Sequence, residues 1–289
     1  MRLLSACTQA MSYERIQVEP LSPALGAEIR GVDLGKPLDD DTIAEIRGAF
    51  LAHLVIFFRD QSLTQEQYLR FARTLGEPSE YPFVEGMDGY AEITEVIKKE
   101  NERVNFGGIW HSDTTYLECP PMGTMLYARV IPPVGGDTLF ANMVTAYESL
   151  SPGMQRLLIG LTAVNSAGKD DAAATRVDRL RERPREVGET VTVAEHPIVR
   201  THPETGRKAL YVNPGHTVRI AGFSEAESAP ILDYLYRHQT QPEFTCRFRW
   251  RRDSLAFWDN RAAQHYPLND YHGHRRAMQR ITLAGDRPR

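Results

Sequence analysis

The sequence is poor in cysteine, and none of its cysteines are paired at metal-knuckle or redox spacing. Its three cysteines, Cys7, Cys119 and Cys246, lie far apart. That excludes a disulfide-built scaffold, a zinc knuckle and a Cys-x-x-Cys redox site. Their odd number suits a reducing compartment, and a cytoplasmic location is expected. Long hydrophobic runs are missing too, since no stretch approaches the roughly 20 apolar residues of a membrane span. The opening Met1-Arg2-Leu3-Leu4-Ser5-Ala6-Cys7 is too short in apolar residues for a secretory signal. Residues 1–15 therefore read as an N-terminal extension, with Met11 as an alternative start. A basic stripe is also absent: the net charge is -4 and the pI near 6.2, which argues against a nucleic-acid partner.

What remains is an ordinary soluble composition, 42% hydrophobic and 25% charged, able to bury a substantial core. No repeat or linker divides the 289 residues, and 16–289 is expected to form a single domain. Between Ile16 and Leu34, short apolar pairs alternate with Pro20, Pro23, Gly26 and Gly31, which predicts two small strands. Asp39-Asp40-Asp41 caps an amphipathic helix carrying Ile43, Ile46, Phe50 and Leu51. The continuous apolar run Leu54–Phe58 reads as a buried central strand, and Thr64–Leu75 as a second helix. Further strands are predicted at Ala91–Ile97, Gly123–Val130, Thr138–Phe140, Pro197–Thr201, Ala209–Asn213, Thr245–Trp250, Leu255–Trp258 and Arg276–Leu283. Helices are predicted over Met143–Leu161, interrupted near Ser151-Pro152, and over Glu225–Gln239. The polar, Arg-rich segment 165–195 reads either as a solvated stretch or as a lid loop. Many short strands with Gly and Pro turns, and helices mainly near the N-terminus, predict a mainly β fold with helical decoration: a double-stranded β-helix, or jelly roll.

The chemistry centres on Ile109-Trp110-His111-Ser112-Asp113-Thr114. Read as an extended segment, it turns His111 and Asp113 to the same side, because side chains alternate with period two. With a third ligand they would complete the two-histidine, one-carboxylate face that holds Fe(II) and leaves positions open. His265 is the best candidate for that ligand. His-x-Asp alone is a weak pattern, and most such pairs are surface polar residues. On the C-terminal strand Arg276, Met278, Arg280 and Thr282 share a face. If Met278 points inward, so do two guanidiniums. A buried arginine needs a partner, either an anionic ligand gripped by its planar fork or protein carboxylates on the rim, and spacing leaves both open. Thr138, after Gly135-Gly136-Asp137, could add a hydroxyl to the same anion or be an ordinary strand threonine. His272 and His274 fall in a polar turn and read as surface residues.

Several motifs taken together resemble one family. Trp110-His111-Ser112-Asp113, Gly135-Gly136-Asp137-Thr138, Trp258-Asp259-Asn260-Arg261 through His265, Asp270-Tyr271, and Arg276 through Gly285-Asp286 are similar to those of the taurine dioxygenase and dichlorophenoxyacetate dioxygenase family. The likeness runs from about Ile16 to Pro288 and includes Gly26-Ala27 and Gly31-Val32-Asp33-Leu34. It implies an Fe(II)- and 2-oxoglutarate-dependent dioxygenase that consumes O2 and releases succinate and CO2. His111, Asp113 and His265 are implied as metal ligands, and Arg276 and Thr138 as holders of the distal carboxylate of 2-oxoglutarate. Arg280 is implied to reach an anionic group of the primary substrate. The carboxylate of Asp113 implies hydroxylation rather than halogenation.

On the substrate side this chain departs from the taurine branch. Tyr81 stands where that branch has a histidine, Gly107 where it has an asparagine and Val84 where it has a tyrosine, with Thr114 nearby. These exchanges predict a roomier, more apolar pocket that takes a larger anion: an aryloxyalkanoate, an alkyl sulfate ester or a longer sulfonate. The alternatives are a taurine dioxygenase proper, a zinc hydrolase or other non-redox metal-binding jelly roll, and a catalytically silent ligand-binding module. No His-Glu-x-x-His motif supports the hydrolase. A homo-oligomer is expected, with no nucleic-acid or membrane partner.

Overall fold

A computed structural model describes residues 12–169, 175 and 193–289. The chain enters through β1 (Gln17–Pro20) and β2 (Ala27–Arg30) and then forms α1 (Asp40–His53). Asp39 caps α1 by accepting from the Thr42 amide, and Thr42, Ile46, Ala49 and Phe50 make its buried stripe. The helix stops at Leu54, whose left-handed backbone returns its amide to the Phe50 carbonyl. Next come β3 (Val55–Phe58) and α2 (Gln65–Leu75), the latter started by a capping box between Thr64 and Gln67. β4 (Pro78–Ser79), β5 (Thr94–Lys98), β6 (Gly123–Val130) and β7 (Thr138–Asn142) follow.

Two short helices, α3 (Met143–Glu148) and α4 (Pro152–Leu158), occupy the helical stretch expected over Met143–Leu161 with an interruption near Ser151-Pro152. The break falls at Ser151-Pro152, where Ser151 caps a new helix with Pro at its first turn. The remaining strands are β8 (Thr162–Ser166), β9 (Val193–Pro197), β10 (Val199–Thr201), β11 (Lys208–Leu210) and β12 (Thr217–Ile220). After α5 (Glu225–Gln239) come β13 (Thr245–Phe248), β14 (Leu255–Asp259), β15 (Ala263–Pro267) and β16 (Arg276–Leu283). Of the helices described, α5 is the longest, so helical decoration is not confined to the N-terminal part.

The large sheet has the order β1-β2-β3-β14-β6-β16-β4, with β5 also pairing with β16. A three-stranded sheet, β13-β7-β15, packs against it. The apolar run of β3 is explained by burial on both sides. Ile56 and Phe58 join Phe50, Phe71, Met125 and Phe257 beneath α1 and α2, whereas Val55 and Phe57, beside Trp258 of β14, face the second sheet through Phe140 and Phe248. Ring stacking marks both layers, with centroids 4.0 Å apart for Phe50 and Phe257 and 3.9 Å for Phe57 and Phe248. β16 obeys the same alternation: Ile281 and Leu283 pack under the helices, and Met278 lies in the inter-sheet core. Arg276 and Arg280, in phase with Met278, are therefore interior. Among the described residues no helix is long and apolar enough to cross a membrane.

The segment from Ile109 to Thr114 is not a strand. Only His111 makes a β-bridge, to His265, and the chain then turns, with Thr114 at φ 47. Most of 165–195, namely 170–174 and 176–192, lies outside the described residues.

Candidate metal centre and anion pocket

The site is assembled by one backbone exchange. The His111 amide donates to the His265 carbonyl (3.1 Å) and the His265 amide to the His111 carbonyl (2.9 Å), which locks two distant segments in register. The imidazole centroids are then 4.1 Å apart. Asp113 is brought in by the turn rather than by strand alternation, and one donor atom from each of His111, Asp113 and His265 lies within 4.8 Å of the others. The His111 ring is fixed by its Nδ1, 2.7 Å from the Ile109 carbonyl, so Nδ1 carries the proton and Nε2 keeps its lone pair. That Nε2 is 3.7 Å from Asp113 Oδ1.

Two glycines press on this imidazole. A Cβ on Gly107, whose φ is 72, would come within 2.9 Å of His111 Cε1, and one on Gly215 would come within 2.9 Å of His111 Cβ.

The carboxylate of Asp113 is held by a closed circuit. Its Oδ2 accepts from the Thr124 hydroxyl (2.6 Å). That hydroxyl accepts from the Asn260 amide (2.8 Å), and Asn260 Oδ1 accepts both the Asp113 amide (3.2 Å) and the Trp258 indole N–H (3.0 Å). Oδ1 is left facing the imidazoles. Burial pushes the Asp113 carboxyl up, but His265, Arg280, His111 and the Thr124 hydrogen bond outweigh it and hold the group well below the usual carboxylate range. Burial, reinforced by His111 and Arg280 against the opposing pull of Asp113, lowers His265 to about 3. At neutral pH the set is thus an ionised carboxylate with an unprotonated His265, as metal ligation requires. Two imidazoles and a carboxylate suit a divalent first-row metal, with three positions of an octahedron left open.

Below the triad, Asp259 is fully buried and accepts from His202 Nε2 (2.9 Å) and from Arg261 Nε and Nη2 (2.8 and 2.7 Å). Arg261 also reaches Glu204, which pairs with Arg47 of α1. This network braces the turn that delivers His265 from β14 into β15.

Arg280 is buried, with its guanidinium 4.3 Å from the Tyr81 ring centroid and Nη1 3.6 Å from Asp113 Oδ1. Its Nη2 has no hydrogen-bond partner. A half-open pocket lies here, beside the triad. His111, Asp113, Thr114, Gly107 and Arg280 line its polar end, while Tyr81, Phe106, Ile109, Tyr116 and His216 make a largely aromatic wall. Thr175 also lines it and accepts from the Gly107 amide (3.2 Å). Val84 is buried but does not line this cavity, so the expected contribution from that position is not met there.

Arg276 is likewise buried, and its Nε and Nη2 have no partner. Burial lowers its pKa, opposed by Tyr271 and Asp137. Its guanidinium lies 5.7 Å from the Trp250 ring centroid, and the Trp250 indole N–H donates to Thr138 Oγ1 (2.9 Å). The hydroxyl proton of Thr138 remains available to an acceptor. Orphaned guanidinium nitrogens and a free hydroxyl proton fit a carboxylate ligand at this end. Arg280 lies four residue steps along the strand from Arg276, roughly 13 Å, so β16 offers two cationic stations on one interior face.

His111, Asp113, Thr114, Gly107, Tyr81 and Arg280 converge as the sequence suggests, with His265 completing the triad and Arg276 near Thr138. Thr124, Asn260 and Trp250 were not anticipated, nor were Phe106, Ile109, Tyr116 and His216. Asn260 sits inside the Trp258-Asp259-Asn260-Arg261 motif and could have been found there. His216 carries no spacing signal.

A mainly β fold enclosing a metal-competent His-Asp-His pocket with two buried arginines defines the jelly-roll dioxygenase class. Residues 17–282 match the taurine catabolism dioxygenase TauD, TfdA family, and the chain belongs to that family. It is 40% identical over 278 residues to an alpha-ketoglutarate-dependent sulfate ester dioxygenase of Pseudomonas putida, covering 94% of this chain and 91% of that one. It superposes on a taurine dioxygenase from Burkholderia xenovorans with a TM-score of 0.81 at 39% identity, over 95% and 93% of the two chains. It also superposes on AAD-2 in complex with Mn(II) and N-oxalylglycine, with a TM-score of 0.78 at 29% identity over 94% and 98%.

Proposed function

We propose that the protein is an Fe(II)- and 2-oxoglutarate-dependent dioxygenase that hydroxylates a small anionic organic substrate, with alkyl sulfate esters as the leading class beside longer sulfonates and aryloxyalkanoates. The observation that carries this reading is the buried, partly unpartnered Arg280, aimed at one end of an aromatic cavity whose same end holds His111 and Asp113. In this reading His111, Asp113 and His265 hold the metal, and Arg276 and Thr138 hold the distal carboxylate of 2-oxoglutarate. Bound Fe(II) and 2-oxoglutarate supply the oxidising power: O2 is consumed, 2-oxoglutarate becomes succinate and CO2, and one oxygen atom enters the substrate.

The chain's own residues do the positioning. Arg280 clamps the anionic head, so that the adjacent carbon of the substrate faces the metal side of the pocket. Tyr81, Phe106, Tyr116 and Ile109 cover the apolar tail and exclude water. Thr124 and Asn260 hold the Asp113 carboxylate in one rotamer. The bare Gly107 leaves room beside His111 for a tail bulkier than that of taurine. Hydroxylation of the carbon bearing a sulfate ester oxygen gives an unstable adduct that falls apart to an aldehyde and inorganic sulfate. A sulfonate gives sulfite by the same logic, and an aryloxyacetate gives a phenol.

The identity of the first sulfate ester relative favours the sulfate ester arm, and Arg280 as the anionic-head contact fits all three. The test is succinate formation with Fe(II), ascorbate and a panel of medium-chain alkyl sulfates, alkylsulfonates, aryloxyacetates and taurine, with sulfate, sulfite and phenol measured in parallel. Turnover of the larger anions over taurine is expected. Strong selectivity for taurine would overturn the wide-pocket reading, and tight Zn(II) retention without O2 uptake would favour a hydrolase.

A further inference from the structure

Arg276 has a cationic neighbour in the ladder. In the antiparallel pairing of β5 with β16 its direct partner is Lys98, and residues directly opposite one another project to the same face. Lys98 is 3% exposed and Arg276 5%. Lys98 Nζ has no hydrogen-bond partner, nor do Nε and Nη2 of Arg276. Like charges directly opposite in a ladder are unfavourable, and a buried ammonium without a partner is more so.

The groups near Lys98 do not offset this. Its ammonium sits over the Tyr271 ring, 4.4 Å from the centroid, and a cation–π contact recovers only part of the desolvation penalty. Glu102 attracts it electrostatically, yet burial still draws the ammonium below the ordinary lysine value, and a Glu102 carboxylate oxygen is engaged by the Lys99 amide. Tyr271 joins the two cations. A Cβ on Gly136, at φ 71, would lie 3.3 Å from both Arg276 Cδ and Tyr271 Cδ1, so the bare glycine is what lets these side chains pack together. An anion seated between Lys98 and Arg276 would compensate both charges at once.

We propose that Lys98 acts with Arg276 as a second cationic holder of the distal carboxylate of 2-oxoglutarate, and so sets the preference for a dicarboxylic over a monocarboxylic 2-oxo acid. This rests on the assignment of Arg276 made above. Lys98 is a positioning and selectivity residue; it does not touch the reacting carbon.

The test compares wild type, Lys98→Met, Lys98→Arg and Arg276→Met, each loaded with Mn(II), by titration with 2-oxoglutarate and with 2-oxobutyrate, which lacks the distal carboxylate. Tryptophan fluorescence reads binding, because Trp250 adjoins the Arg276 guanidinium. Loss of one charge-assisted contact predicts that Lys98→Met binds 2-oxoglutarate about tenfold or more weakly. Its affinity for 2-oxobutyrate should change less than about twofold, Lys98→Arg should recover most of the loss, and the metal-free Lys98→Met protein should melt no lower than wild type.

Unchanged 2-oxoglutarate affinity in Lys98→Met, with Arg276→Met weakened, overturns the proposal and leaves Arg276 in its role. An equal loss for both oxo acids in Lys98→Met also overturns it, since that is damage to the fold. No loss in either variant removes the Arg276 assignment along with the proposal. If Lys98→Met fails to fold, the ratio of the two affinities in Lys98→Gln decides on the same terms.

Discussion

Replacing Arg280 with methionine separates the substrate site from the cosubstrate site. The side chain stem is retained, so Tyr81 and Phe106 keep an apolar surface to pack on, and the guanidinium is lost. One Nη is already without a partner, and the other is 3.6 Å from Asp113 Oδ1, at the edge of an ion pair. Asp113 keeps its Thr124 hydrogen bond at 2.6 Å. The fold therefore loses little, and the thermal midpoint should hold or rise, because a costly buried cation has gone. Against the substrate the change is severe. Removing one partner of a desolvated charge pair costs roughly 2–5 kcal/mol, which is a rise in substrate KM of about thirtyfold to a few thousandfold. Affinity for 2-oxoglutarate, held at the other end of β16, should stay within a few-fold, and slow substrate-independent succinate release should persist. The assay is paired steady-state kinetics: succinate against substrate concentration, and 2-oxoglutarate titration of the Mn(II) form. If Arg280→Met loses 2-oxoglutarate binding while substrate KM is unchanged, the two arginines have been given each other's roles.

Three further outcomes are expected. His111→Ala and Asp113→Ala should each abolish turnover and weaken Mn(II) binding, read by isothermal titration; wild-type metal affinity in either variant would exclude that residue from the ligand set. Gly107→Ala places a methyl against His111 at a backbone angle that disfavours alanine, and should weaken metal binding measurably while leaving the melting midpoint within a few degrees. Asp259→Asn leaves Arg261 with Glu204 as its remaining carboxylate partner, removes the carboxylate that accepts from His202, and should destabilise the fold by roughly 2–4 kcal/mol at pH 7 in a denaturant titration. The Asp259 carboxyl is lowered to about 2: burial raises it, and hydrogen bonds from Arg261 and His202 more than offset that. Its contribution is therefore full above the unfolded value near 4, drains away as pH falls from about 4 to 2, and is gone below that, so wild type and variant should converge in stability at the acid end.

Much of this site is legible in the sequence because its parts are carried by short, local patterns. Period two on β16 puts Arg276 and Arg280 on the side of Met278, and the all-apolar Val55–Phe58 announces a strand buried on both faces. The His-x-Asp pair comes together for a different reason than its spacing suggests: His111 and Asp113 meet because the chain turns after a single bridge, not because a strand alternates. The bridge depends on His265, more than 150 residues away in the chain, and no local propensity encodes it. The aromatic wall was illegible for a similar reason. Phe106 and Tyr116 come from the long connection between β5 and β6 and His216 from that between β11 and β12, and none carries a period to read. The break between helix α3 and helix α4 is legible at Ser151-Pro152 because Pro152 starts a new helix more readily than it continues an old one. The domain bounds and the 165–195 segment stay as expectations from sequence.

The two arginine stations of β16 share one rigid ruler, clamped from behind by Ile281 and Leu283 against the helical layer. The wall opposite is drawn from loops. Exchange of loop side chains can therefore reshape the end of the pocket beside Arg280 while the strand that carries both arginines stays in place.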